Sequence, residues 1–160
     1  MLHHPIQCSF QRDFYRPHPA VAKLPASAIA EHRKELHVTV TGANVPSPIR
    51  SFMQAGLGDA VLTAIAKAGY SAPTPIQAQA LPVLMAGRDT LGLAETGSGK
   101  TLAYGWPLLV HCLAQREMGA GEGPIALVLA PTRELVIQVY KSIKKVSDTC
   151  ACTCICPALL

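Results

Sequence analysis

The chain has 160 residues, of which 49% are apolar and only 15% charged, and its formal net charge is +4. That length holds one domain with a core of its own, and that composition excludes an intrinsically disordered chain. No run is long and apolar enough to cross a bilayer, and the N-terminus, MLHHPIQCSF, lacks the basic and apolar regions of a secretory signal, so an intracellular protein, nuclear or cytoplasmic, is expected.

The basic excess is mild: residues 1–51 carry +3, residues 52–124 carry −1 and residues 125–160 carry +2. It permits a polyanionic partner without requiring one. Residues 1–24 mix proline, histidine and charge without a period and suggest an extended arm. Ala26–Leu36 is predicted to be a helix started by Pro25, His37–Thr41 a short strand ending at Gly42, and residues 44–49 a proline-rich connector. Gly58–Ala68 is predicted to be an amphipathic helix, with Val61, Leu62 and Ile65 on one stripe and Gly69 beyond its end.

Thr74-Pro75 restarts a helix that Gly87 closes, and Pro82 is expected to kink or split it. The apolar run at 90–94 leads into Ala94-Glu95-Thr96-Gly97-Ser98-Gly99-Lys100-Thr101 and then a helix from Lys100 to about Gln115, bent at Pro107. After the loop at 119–124, Ile125–Ala130 is predicted to be a strand buried on both faces, and Thr132–Lys145 a helix with Leu135, Val139 and Ile143 stacked at four-residue spacing. Strand, glycine loop, helix, strand, helix is a parallel α/β order.

The glycine loop carries the sharpest chemistry. It follows the general phosphate-loop form G-x4-G-K-[ST], with Ala94 in place of the first glycine. Gly97 and Gly99 let backbone N–H groups turn inward around a phosphate, and the next helix offers its N-terminus to the anion. Thr96, Ser98 and the two glycines would line the phosphates, Lys100 would neutralise them, and the Thr101 hydroxyl would hold Mg²⁺.

Three blocks together resemble the first lobe of a DEAD-box ATP-dependent RNA helicase. Phe52 followed seventeen residues later by Gly69-Tyr70-Ser71-Ala72-Pro73-Thr74-Pro75-Ile76-Gln77 is similar to that family's Q motif; AETGSGKT to its phosphate loop; and Pro131-Thr132-Arg133-Glu134-Leu135 to its motif Ia. Residues 10–42 resemble the upstream flank of a splicing-associated subgroup. The resemblance implies a RecA-like P-loop NTPase lobe over residues 51–146, with ATP and Mg²⁺ as cofactors and RNA as partner. It implies that Gln77 reads the adenine edge while Tyr70 borders the base and Phe52 braces that pocket, and that Thr132 and Arg133 lie at an RNA phosphate. The bland alternatives are core aromatics for Phe52 and Tyr70, plain helix-start residues for Thr74 and Pro75, and a solvated arginine for Arg133.

The family also uses a carboxylate pair and a second lobe for hydrolysis, yet no two acidic residues are adjacent anywhere in these 160 residues. Within this chain Lys100 and Thr101 could position phosphate and Mg²⁺, with no general acid or base beside them. A lobe carrying only two of its strands is expected to be aggregation-prone. Beyond Val146 the sequence changes character, with cysteine at positions 150, 152, 154 and 156. Two further readings therefore stand beside the first: a non-catalytic module that binds protein partners through residues 1–50 and competes with a full-length helicase, and a metal site on Cys150, Cys152, Cys154 and Cys156. An extended ladder must fold back to make a tetrahedral site, however, and a tail from a truncated or misread coding region is the plainer reading of residues 147–160. Nothing in the sequence indicates an oligomeric state.

Overall fold

A computed structural model describes residues 11–116, 119 and 121–150. Helix α1 spans Pro19–Ala22, α2 Ala26–Glu35, α3 Asp59–Lys67, α4 Pro75–Met85, α5 Lys100–Leu113 and α6 Arg133–Ser147, with a 3-10 turn at Phe52–Gln54. Local chemistry accounts for most of these bounds. Gly58 and Thr132 take the N-cap positions of α3 and α6, and the Thr132 hydroxyl accepts from Leu135 N at 3.3 Å. Asp59 and Glu134 sit in the first turns of those helices and Lys67, Lys144 and Lys145 in their last turns, so both complement the helix dipole.

The core lies among α3, α4, α5 and α6. Helix α4 packs on α5, α5 on α6, and α3 against both α5 and α6. Ile65, Leu81, Met85, Trp106, Ile143 and Val146 are buried there, each removal from water being worth about 1.5–3 kcal/mol for a large aliphatic side chain. Val139 and Ile143 keep the predicted stripe on α6, while Leu135, at its first turn, stays exposed.

Pro82 neither kinks α4 to a stop nor splits it: the helix runs through it to Met85. A proline leaves the carbonyl four residues back without its helical donor. Here that carbonyl is Ala78 O, and the buried Ile49 of the connector donates its N–H to it at 3.0 Å. The bond lost inside the helix is made from outside it.

Ile49 is one of several ties between the flank and α4. Phe14 N and Tyr15 N both donate to Met85 O, at 2.7 and 3.0 Å. Arg33 Nε donates to Gln79 Oε1 at 2.9 Å and its Nη2 to Val45 O and Pro46 O, while Gln79 Nε2 also donates to Pro46 O. Arg88 donates to Asn44 O and Ala43 O, both at 2.7 Å. Just after α4 the chain reverses at Gly87, where φ is +67° and a Cβ would stand 2.5 Å from Arg12 O. The segment from residue 11 onward, expected as an extended arm, thus lies on the body of the protein, with Tyr15 and Val21 buried.

No strand is present among the described residues. The expected strands at 37–41, 90–94 and 125–130 lack a ladder, and no backbone–backbone hydrogen bond reaches 90–94 or 125–130 among those residues. The second of these is not buried on both faces either. Val128 packs against the core, but Leu127 and Leu129 are 72% and 78% exposed, as are Leu91 and Leu93 at 88% and 86%. A cavity of about 630 Å³ lies beside the second segment, bordered by Arg88, Asp89, Tyr104 and His111 on one side and 125–129 on the other.

His32 is a buried titratable group of the flank. Burial and then the nearby Arg50 charge lower its pKa below the ordinary 6.5, with Glu35 opposing. The folded chain therefore holds it neutral where the unfolded chain protonates it, and stability is lost as pH falls below about 6.5. Thermal unfolding is expected at lower temperature at about pH 5.5 than at about pH 7.5, and His32→Gln should flatten that dependence. An unchanged slope in the variant would assign the acid sensitivity to other groups.

Candidate functional site

The phosphate loop and the start of α4 meet through side chains of the latter. Thr74 N donates to Gln77 Oε1 at 3.1 Å, the reach-back half of a capping box. The other end of the same amide, Gln77 Nε2, donates to Gly99 O at 3.1 Å. Thr74 Oγ1 donates to Ser98 O at 2.8 Å. Two consecutive loop carbonyls are thereby held by one short segment of α4. Gln77 is buried, and an amide has two N–H donors and two lone pairs, so one of each remains for a ligand.

Gly99 makes the approach feasible. It is the N-cap of α5, in left-handed backbone with φ +89° and ψ +17°. A Cβ at this position would stand 2.6 Å from Gln77 Nε2 and 3.2 Å from Thr74 Oγ1. Gly97 is also left-handed, φ +81°, but nothing lies within 4 Å of where its Cβ would be. The first glycine meets only a conformational demand, whereas the second meets that demand and a steric one.

Thr96 and Gly97 are exposed, and the N–H groups of Lys100 and Thr101 at the start of α5 have no backbone acceptor among the described residues. Lys100 Nζ folds back over the loop and donates to Ala94 O and Glu95 O. Ser98 Oγ is buried without a partner among the described residues. Free donors at a helix N-terminus, a flexible ammonium held above them and an unused hydroxyl form a donor set that fits a phosphate chain. Thr101 follows Lys100 on the first turn of α5, and its hydroxyl is the candidate Mg²⁺ ligand.

The structure brings the other expected residues together less directly. Phe52 is buried, its ring edge-on to Trp106 at 5.1 Å, and the half-buried Tyr70 meets the same indole at 5.5 Å. Lys145 Nζ lies 5.5 Å from the Tyr70 ring centroid and donates to Ala68 O at 2.9 Å. Thr132 and Arg133 stand apart at the start of α6, both exposed. Sequence reasoning missed two participants. Thr74 was explained fully as a helix start, and only its bond to Ser98 O reveals a second use. Trp106 gave no signal beyond being the sole tryptophan. Of the cysteine row, only Cys150 lies within the described residues; its Sγ is 3.5 Å from Ala60 O. No group of three or more metal-ligating side chains occurs among the described residues, and no helix among them is long and apolar enough to cross a membrane.

The model of the DEAD/DEAH box helicase family matches residues 74–157, passing through the cysteine row. The chain is 47% identical over 147 residues to DEAD-box ATP-dependent RNA helicase 20 of Arabidopsis thaliana, covering 88% of this chain and 29% of that protein. It is 43% identical over 148 residues to the probable ATP-dependent RNA helicase DDX46 of Homo sapiens, covering 92% of this chain and 14% of that protein. Among solved structures, the RNA helicase Prp28 from Chaetomium thermophilum bound to ADP superposes with a TM-score of 0.73 at 37% identity, over 82% of this chain and 33% of that one. The chain belongs to the DEAD/DEAH box helicase family. Its fold class is that of the RecA-like helicase domain, with the helices in place and the parallel strands not formed among the described residues. The chain spans less than a third of the length of the curated relatives it matches here.

Proposed function

We propose that this chain is an adenine-nucleotide-binding portion of an ATP-dependent RNA helicase. The observation that carries the reading is the grip of Thr74 and Gln77 on the carbonyls of Ser98 and Gly99, which ties an adenine-facing segment to a phosphate-facing one. The ADP bound in the Prp28 structure from Chaetomium thermophilum supports it. Lys100 and the loop N–H groups would hold the phosphates, Thr101 the Mg²⁺, and the spare amide groups of Gln77 the base edge. Arg133 and the N-terminus of α6 would hold an RNA phosphate. Bound Mg²⁺ supplies charge neutralisation to the phosphates.

These 160 residues contain no adjacent carboxylates to orient an attacking water, so the chain tested alone is expected to bind Mg-ATP without turning it over at a useful rate. Calorimetric titration with Mg-ATP should show saturable binding. Lys100→Ala should weaken it by roughly ten-fold or more, since a charged hydrogen bond is worth about 1.5–3 kcal/mol, and Gln77→Ala by a comparable amount. Equal affinity for the parent chain and both variants would reject the reading.

A further inference from the structure

Trp106 is the only tryptophan in the chain and lies fully buried midway along α5. Two rings meet its indole edge-on. Phe52 comes from the 3-10 turn, with centroids 5.1 Å apart and planes at 89°; Tyr70 comes from the segment after α3, at 5.5 Å and 68°. Edge-to-face packing is directional, so one indole sets the orientation of both rings. The same helix begins at Lys100, six residues earlier and about 9 Å away along the axis. Helix α5 thus carries the phosphate-loop lysine at one end and the anchor of the two aromatic rings further on.

Filling space does not account for this residue. Its Nε1 is buried with no hydrogen-bond partner among the described residues, which counts against an indole and in favour of any purely apolar side chain of similar bulk. Tyr70 is steadied a second time by Lys145, whose ammonium lies over its ring. Phe52 has no such second anchor among the described cation and ring contacts.

We infer that Trp106 is a positioning residue for the base end of the nucleotide site, fixing Phe52 and Tyr70 relative to the phosphate-binding start of α5. The inference rests on reading Phe52 and Tyr70 as the base-flanking rings. It separates the two ends of the ligand: loss of the indole should be felt by the base and not by the phosphates.

The test compares Mg-ATP with Mg-tripolyphosphate, which has the phosphates and no base, on the full chain. Trp106→Leu is expected to lower ATP affinity about five-fold or more, the scale of losing aromatic edge-to-face contacts, while tripolyphosphate affinity stays within about two-fold. Trp106→Phe, which keeps an aromatic edge, should retain ATP affinity within about two-fold and guards against a leucine variant that does not fold. In the parent chain the single tryptophan gives a direct signal: ATP should change its emission and tripolyphosphate should not. Equal weakening of both ligands in Trp106→Leu, or no weakening of ATP in either variant, overturns the inference. A parent chain that binds tripolyphosphate but shows no preference for ATP overturns it too, while leaving the phosphate loop standing. A parent chain that binds neither ligand overturns the nucleotide reading itself.

Discussion

Replacing Gly99 by alanine is expected to lower Mg-ATP affinity by roughly a hundred-fold. Left-handed backbone costs a residue with a Cβ about 1–2 kcal/mol, and the hydrogen bonds broken by moving aside would each add about 1 kcal/mol. The methyl group would stand 2.6 Å from Gln77 Nε2 and 3.2 Å from Thr74 Oγ1, so the buried Gln77 amide must move off the loop and Thr74 Oγ1 must shift by a smaller amount. Gly97→Ala provides the matched control, because its backbone is equally left-handed but no atom lies within 4 Å of the added carbon. It should cost only the strain, about ten-fold in affinity. Calorimetry on the two variants decides the matter. Equal losses would mean that the contact between α4 and the loop contributes nothing to binding.

The second large effect concerns the four exposed leucines at 91, 93, 127 and 129. Each forgoes about 1.5–3 kcal/mol that burial would return, and both segments leave their backbone polar groups without a ladder. The chain is expected to self-associate at micromolar concentration. Changing all four leucines to threonine, a smaller β-branched and strand-compatible residue, removes the apolar rows and should shift sedimentation toward the monomer. A parent chain that sediments as a monomer and melts in one sharp transition would show that these rows cause no association.

The parts of the site that the sequence disclosed were those written in short, fixed spacings. AETGSGKT needs only neighbouring residues to turn a loop around an anion, and Thr74-Pro75 needs only its own turn to begin α4. The expected strands are where sequence and structure part, because a strand exists through its partner: the unbroken apolar run at 125–130 shows alternating exposure, and with no neighbouring strand among the described residues no ladder forms there. The docking of the flank escaped for a related reason. Arg33 and Arg88 bind main-chain carbonyls at 43–46, and an acceptor that every residue possesses leaves no mark on the sequence. Trp106 acts through rings 54 and 36 positions away, beyond the reach of any periodicity.

The bond from Ile49 N–H to Ala78 O also bears on which changes α4 tolerates. Pro82 turns a helix interior into a socket for a main-chain plug, and the plug is chemically generic: nineteen of the twenty amino acids carry the required N–H. Position 49 is therefore under two separate demands. Its side chain answers to the apolar pocket that buries it, and can be exchanged for another of similar shape. Its backbone answers to the socket, and only a second proline would leave it empty.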